Sequence, residues 1–131
     1  MAKIILSLLI VFCLFFSTPA LSFDSWTGED TVCEVTFAGI TAIDLMQTNR
    51  FVGDGYEERN PVLGKHPSRT EVNTLIPLAI AGHAIIAYML PAETVLWGYK
   101  LRPRRMWQNV WIGIEMGAVN HNHVHGVRIS F

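Results

Sequence analysis

Apolar side chains recur at the spacing of an α-helix in three stretches of the chain. The spacing predicts a first helix over 32–51, a second over 68–90 and a third over 104–120. Asp30 or Thr31 stands where the first helix needs an N-terminal cap. No stretch alternates apolar and polar side chains in the way that a half-buried strand does. The pattern therefore predicts an all-α fold with three main helices after an N-terminal signal helix.

The beginning of the chain has the pattern of a secretory signal. In 1–22, Lys3 precedes an unbroken apolar run, and small residues follow, with Ala20 and Ser22 at the two positions that signal peptidase reads. Cleavage there would leave 23–131 as a single small helical domain. The alternative is an uncleaved signal anchor, because the apolar stretch reaches about 19 residues when its last members are counted. Either outcome directs the chain to the cell envelope.

Two of the predicted helices carry almost no charge. Over 72–90 only His83 can be charged near neutral pH, and about 19 such residues are near the length that a bilayer requires. The third helix holds Glu115, which must face the protein interior if that helix lies in lipid. Gly113 and Gly117 have the Gly-x-x-x-Gly spacing that lets membrane helices pack closely. We predict two membrane spans, with the first helix lying on or dipping into the membrane; a soluble periplasmic bundle is the alternative.

The distribution of basic residues predicts an orientation. A basic cluster over 100–105 separates the two predicted spans and is expected in the cytoplasm by the positive-inside tendency. The first helix, the loop over 56–68 and the C-terminal tail would then be periplasmic. Trp97, Trp107 and Trp111 flank the cluster and are typical of an interfacial belt. The predicted location is the bacterial inner membrane, with periplasmic exposure.

Composition narrows the class of protein further. Half of the residues are apolar, only 16% are charged, and the formal net charge is −1. A nearly neutral chain is not expected to bind nucleic acid. Cys33 is alone after the signal, so the fold is not built on internal disulfides. No catalytic signature or cofactor motif is present, which favours a protein that is not an enzyme and needs no cofactor.

Polar side chains that could hold a metal, a proton or a partner group lie on one face of the first helix, in the loop over 56–68 and in or just after the third helix. The set is Asp44, Gln47, Thr48, Glu58, Asn60, His66, Glu115, His121 and Asn122. A network that ties helices to loops is the simpler interpretation, because buried polar groups usually satisfy each other. His121, His123 and His125 alternate and suit zinc, copper or nickel, but no further ligand pattern completes a site, so metal binding stays open.

Three motifs together resemble a known group of proteins. They are Asp-x-x-Gln-Thr over 44–48, Asn-Pro-x-Leu-Gly-x-His-Pro-Ser over 60–68, and Gly-x-Glu over 113–115 followed by His121-Asn122. In this order they are similar to small uncharacterised proteins encoded by tailed bacteriophages and by bacteria that carry prophages. The resemblance implies a small helical envelope protein of phage or prophage origin. It gives weight to the polar set but implies no particular activity.

Two functional hypotheses follow. The first is an inner-membrane protein, bacterial or phage-derived, that acts through contacts with other membrane components, as in lysis control or exclusion of a second phage. Its partners would be the lipid membrane and another membrane protein or a second copy of itself. The second is a periplasmic metal-binding or hydrolytic domain. Its site would be formed by Asp44, Glu58, His66, Glu115 and His121.

Overall fold

A computed structural model describes residues 23–54 and 63–124, and it confirms the three predicted main helices. Helix α1 is Gly28–Asp54, α2 is Arg69–Met89 and α3 is Pro103–Val124. Two short strands, β1 (Thr94–Leu96) and β2 (Tyr99–Leu101), lie between α2 and α3. The segment over 1–22 that was predicted as a signal, most of the loop over 56–68, and the end of the tail lie outside the described residues.

Helix α1 begins earlier than the apolar spacing predicts because Thr27 and Asp30 cap it one turn upstream. The backbone amide and the hydroxyl of Thr27 donate to Asp30 Oδ2 at 2.9 and 2.8 Å, and the Asp30 amide donates to Thr27 Oγ1 at 3.2 Å. This reciprocal pairing satisfies amides that the first turn leaves without helical partners. The cap predicted at Asp30 or Thr31 therefore stands three or four residues too late.

The start of α2 is the predicted one. Ser68 precedes the helix, its hydroxyl accepts from the Glu71 amide at 3.2 Å, and its own amide donates to Glu71 Oε2 at 2.7 Å. The helix ends at Met89, and the Leu90 amide still donates to two carbonyls of the last turn. Pro91 follows and cannot extend the helix. The capping box and the following proline thus mark the two ends of α2.

The expectation of no strands is wrong, because β1 and β2 form an antiparallel hairpin. Thr94 pairs with Leu101 and Leu96 pairs with Tyr99, so Trp97 and Gly98 form a two-residue turn. Both turn residues have positive φ, 51° and 82°. Strands of three residues are too short to show alternation, and a Trp-Gly turn is not a usual hairpin signal. The sequence pattern therefore had no means of revealing the hairpin.

The three helices lie side by side in alternating directions. Contacts at the start of α1 involve the end of α2 and the start of α3, as in the pairing of Glu34 with His83 and with Gln108. Contacts at the end of α1 involve the start of α2, as in the bond from Asn49 to Asn73 at 2.7 Å. Helices α1 and α3 therefore run parallel, and α2 runs antiparallel to both.

The interior is polar over most of its length. A small apolar cluster of Leu63, Val72 and Ile76 lies where α2 begins. The buried polar side chains are Asp30, Thr41, Asp44, Gln47, Thr48, His83, Arg104 and Gln108. Large apolar side chains of all three helices are exposed, including Val32, Ile43, Leu78, Ile85, Val110 and Met116. The described bundle therefore buries more polar than apolar side chains and exposes many large apolar ones.

Among the described helices, α2 alone is long and apolar enough by composition to cross a membrane. Its mean hydropathy is 1.6, and only 22% of the apolar window is buried in the protein. A core helix of a soluble protein would pass the same test of composition but would be mostly buried. The second predicted span, on α3, does not reach this threshold, so the structure supports one candidate span rather than two.

Candidate functional site

The buried polar side chains form a column between the facing sides of α1 and α3. We call this set the polar column; it extends from Asp30 and Arg104 at one end to Asp44, Gln47 and Asn122 at the other. On α1 its members are separated by three, four or seven residues, which places them on one helix face. A parallel neighbour with a matching stripe can then pair with them layer by layer.

Arg104 occupies the first layer and is almost completely buried. Its Nη1 lies 3.1 Å from Asp30 Oδ2, and the guanidinium stands 5.5 Å from the centre of the Trp26 ring. It also donates to four main-chain carbonyls, those of Asp24, Ser25, Ala87 and Leu90. One side chain thereby joins the segment before α1, the end of α2 and the start of α3. Only arginine presents enough donors in a rigid fork to do this.

The carboxyl of Asp30 is held in its charged form. Burial of the group acts to raise its pKa, but hydrogen bonds from the Thr27 amide and hydroxyl and the contact with Arg104 together hold the pKa below its ordinary value of 3.8. Arg105 lies nearby, with Nη2 at 3.6 Å from Asp30 Oδ1 and at 2.9 Å from Glu29 Oε2. The first layer is therefore an ionised pair with its remaining polar atoms satisfied.

Acid is expected to weaken the fold through Asp30. The pKa of Asp30 is lower in the folded protein than in the unfolded chain. The contribution of Asp30 to the free energy of unfolding is therefore complete above the ordinary pKa of 3.8, and it is lost as the pH falls through the folded pKa. The free energy of unfolding should therefore respond less to acidification in Asp30→Asn than in the wild type. Glu29→Gln is the matched control, since Glu29 pairs with Arg105 on the exposed surface, and it should keep the wild-type response. Identical acid responses of wild type and Asp30→Asn would contradict this assignment.

The second layer is centred on the carboxylate of Glu34. His83 Nδ1 lies 2.9 Å from Glu34 Oε2, and Gln108 Nε2 donates to Glu34 Oε1 at 3.0 Å. The imidazole stacks against Phe37 at 3.9 Å between ring centres and against Trp107 at 5.4 Å. The buried His83 is thus tied to Glu34, which lies in the second turn of α1.

Some atoms of the column have no hydrogen-bond partner among the described residues. They are His83 Nε2, Gln108 Oε1 and Thr41 Oγ1. Helices α1 and α3 run parallel, and Glu34 faces Gln108, which lies 74 positions later in the chain. The same offset places Thr41 at the level of Glu115. Buried polar atoms of this kind usually bind internal water. The middle of the column is therefore polar enough to be hydrated.

The last layer brings together residues that the sequence selected. Asn122 Nδ2 donates to Asp44 Oδ1 at 3.0 Å and to Gln47 Oε1 at 3.3 Å, and Gln47 Nε2 donates to the Val119 carbonyl at 3.4 Å. Glu115, which is half-buried on α3, lies near Asp44. The predicted polar face of α1 and stripe of α3 thus meet in one cluster.

The other predicted site residues are distributed differently. Thr48 is fully buried beside this layer, whereas His66 and His121 are exposed at the same end of the bundle. Glu58 and Asn60 lie outside the described residues. Within the described ranges no three His, Cys, Asp or Glu side chains are grouped so as to hold a metal ion.

Comparison with known proteins gives no match. No family model, no curated protein and no solved structure matches this chain. What the protein does must therefore be inferred from the polar column and from the surface around it.

The half of the polar column that lies at the start of α1 and α3 was not predicted from the sequence. Arg104 was assigned to an exposed basic cluster, and Asp30 was considered only as a cap. Glu34 was not paired with His83, although both lie on predicted helices. The missing information is the register between helices, which side-chain spacing within one helix does not contain. Chemically, the column supplies hydrogen bonds and ion pairs that join the helices without a large apolar core.

Proposed function

We propose that the protein is an integral membrane protein whose three helices lie in the bilayer, with lipid outside and the polar column inside. It acts through contacts with other membrane components rather than through a catalytic site. Helix α2 is its most apolar span. Helices α1 and α3 contact lipid through their outward faces and keep their polar faces turned inward. The location is the bacterial inner membrane, in agreement with the signal-like start.

An uncharged band around the bundle supports this proposal most strongly. Exposed side chains carry no charge over 32–46 of α1, over 73–88 of α2 and over 106–120 of α3. These stretches overlap in level, because Glu34 faces both His83 and Gln108 near one end of the bundle. Asn49 faces Asn73 near the other end. Each stretch is roughly 22–24 Å long at about 1.5 Å per residue. A hydrocarbon core of about 30 Å adjusts to such a length by thinning and by snorkelling of flanking side chains.

The polar column gives independent support. Lipid removes the hydrophobic drive for helices to associate, so that close packing and interhelical hydrogen bonds hold membrane bundles together. Ionisable groups in such bundles face inward and find polar partners there, as Arg104 does with Asp30 and as the Glu34 carboxylate does with the His83 ring. A water-soluble bundle with this surface would expose large apolar side chains of all three helices to water, whereas lipid would cover them.

The outer face of α3 is suited to contact with another membrane helix. Gly113 and Gly117 are exposed, and a Cβ added to either would meet no described atom within 4 Å. The described packing of the chain therefore does not require glycine at these positions, although glycine costs a helix interior about 1 kcal/mol each. Close approach of a second helix would explain both residues.

Replacing Gly113 and Gly117 together with isoleucine is expected to abolish assembly with the membrane partner or with a second copy. Bulky side chains would separate helices that glycine lets approach. Crosslinking in intact membranes, followed by purification in mild detergent, measures the loss. Ala81→Ile on the exposed face of α2 is the matched control, and Glu58→Gln should also leave assembly unchanged. Crosslinking of the double variant at the wild-type level would contradict the proposed contact.

The phage-type roles and the metal-binding alternative stay hypotheses. A role in lysis control or in exclusion of a second phage is motivated by the resemblance described above and by the small size of the chain. A periplasmic metal site would require stoichiometric metal in the purified protein and its loss in His66→Ala. Unchanged stability after chelation, in protein purified without metal, would remove that alternative.

A further inference from the structure

The β-hairpin carries an exposed apolar and aromatic tip. Trp97 is 89% exposed, and Val95, Leu96 and Tyr99 are exposed beside it. Large apolar side chains cluster in water only where something else covers them. The polar column is built from side chains of the three helices, and the hairpin tip supplies none of them.

The backbone conformation of the turn is unfavourable for tryptophan. Trp97 and Gly98 both have positive φ in a two-residue loop, the geometry of a type I′ turn. Asparagine, aspartate and glycine suit the first turn position, whereas a bulky side chain there is strained. Because the indole is almost fully exposed, its contacts within the described chain do not offset that strain. A local violation of this kind is characteristic of functional positions.

The position and charge of the hairpin indicate what covers it. Thr94 begins β1 shortly after α2 ends at Met89, so the hairpin lies where the uncharged band gives way to charged residues. Lys100 and Arg102 are exposed at its base. The ion pair of Lys100 with Glu93, at 3.1 Å, is also exposed and contributes little by itself. Aromatic rings next to basic side chains are the composition of membrane–water interfaces.

We propose that the hairpin tip inserts into the headgroup region of the phospholipid bilayer that surrounds the bundle. The rings of Trp97 and Tyr99 lie at the boundary between headgroups and acyl chains, and Lys100 and Arg102 reach lipid phosphates. The inference rests on the proposed membrane location of the helices, and adds to it a defined lipid-binding element that sets the depth of the bundle.

Tryptophan quenching in vesicles tests the insertion. The full-length protein is reconstituted into phosphatidylcholine–phosphatidylglycerol vesicles that contain lipids brominated either near the headgroup or near the chain end. The difference between wild type and Trp97→Phe isolates the emission of Trp97 from that of the other tryptophans. We expect strong quenching by the shallow label, weak quenching by the deep label, and several-fold protection from aqueous iodide. Free access of iodide to Trp97, without quenching by either lipid, overturns the hairpin proposal.

Trp97→Asn separates membrane anchoring from hairpin folding. Asparagine relieves the strained turn, so the thermal stability of the variant in detergent should equal or exceed that of the wild type. In vesicles, we expect aqueous amine labelling of Lys100 to rise several-fold, while labelling of exposed Lys65 stays constant. Unchanged labelling of Lys100 overturns the proposal. Loss of the wild-type protein from the vesicles on washing overturns both the hairpin insertion and the membrane location of the bundle. Retention of the protein with Trp97 accessible to iodide overturns the hairpin insertion alone.

Discussion

Replacing Arg104 with methionine is expected to lower the free energy of unfolding by about 3–5 kcal/mol, the usual cost of removing one partner of a buried ion pair. The change leaves the buried Asp30 carboxylate without its main cation. It also removes every hydrogen bond by which the guanidinium joins the end of α2 to the segment before α1. Methionine fills much of the same volume, so the loss reports polar contacts rather than an empty cavity.

Unfolding of the purified protein by denaturant in detergent measures this effect. Arg102→Met is the matched control, because Arg102 lies two positions away and is exposed, and it should change stability by no more than about 0.5 kcal/mol. Arg104→Met combined with Asp30→Leu should recover part of the loss, since removing both charges avoids an unpaired buried group. A stability of Arg104→Met equal to that of Arg102→Met would show that Arg104 does not join the helices.

Replacing Leu78 with aspartate is expected to make the free energy of membrane insertion of α2 less favourable by about 3 kcal/mol. This is the cost of a charge near the centre of a spanning helix. Leu78 is 61% exposed near the middle of α2. In water, the same substitution at an exposed position would change stability by no more than about 0.5 kcal/mol and would favour solubility. The two environments therefore predict opposite outcomes for a single change.

The fraction of newly synthesised protein that is integrated into membranes measures this difference. Thr70→Asp is the matched control, because Thr70 is exposed in the first turn of α2, outside the uncharged band, where an acid is also favoured by the helix dipole. We expect Thr70→Asp to integrate like the wild type and Leu78→Asp to integrate poorly. Normal integration of both variants would indicate that this face of α2 does not contact lipid.

The helices were predictable because their signals are local. Apolar spacing located all three, and both ends of α2 lie within one residue of the predicted 68–90. Helices α1 and α3 are longer than predicted, because both continue beyond the regular apolar spacing through polar residues. The β-hairpin was missed for the reason that makes it interesting: a tryptophan stands where the turn favours asparagine.

The polar column could be predicted only in part. The spacing of Asp44 and Gln47 put them on one face, and the stripe on α3 contained Asn122, which binds both. The first and second layers depend on the register between helices, that is, on which residues of different helices face each other. A single sequence does not contain this information. The basic cluster shows the consequence, because Lys100, Arg104 and Arg105 form ion pairs with acids of this chain. Their positions therefore say less about orientation than their number suggested.

The difference between two predicted spans and one candidate span has a physical reason. Mean hydropathy averages all faces of a helix, whereas only the outer face of a bundled helix meets lipid. Helix α3 carries Arg104 and Gln108 on its buried side and a half-buried Glu115, and these residues lower its average. The exposed polar residues Asn109, Asn120, His121 and His123 lower the average further, below that of α2. The expectation that α3 lies in the membrane is thus retained as a proposal, on the uncharged outer face alone.

The central claim, that the three-helix bundle lies in a bilayer, is tested most directly by washing bacterial membranes that contain the C-terminally tagged protein with alkaline carbonate. The mature mass, measured in the same sample, establishes whether the chain begins at Met1 or after a cleaved signal. Retention in the membrane pellet, even when the signal has been removed, is the result that the uncharged band and the polar column predict. Release of the mature protein into the supernatant would contradict the claim and would identify the bundle as a soluble domain.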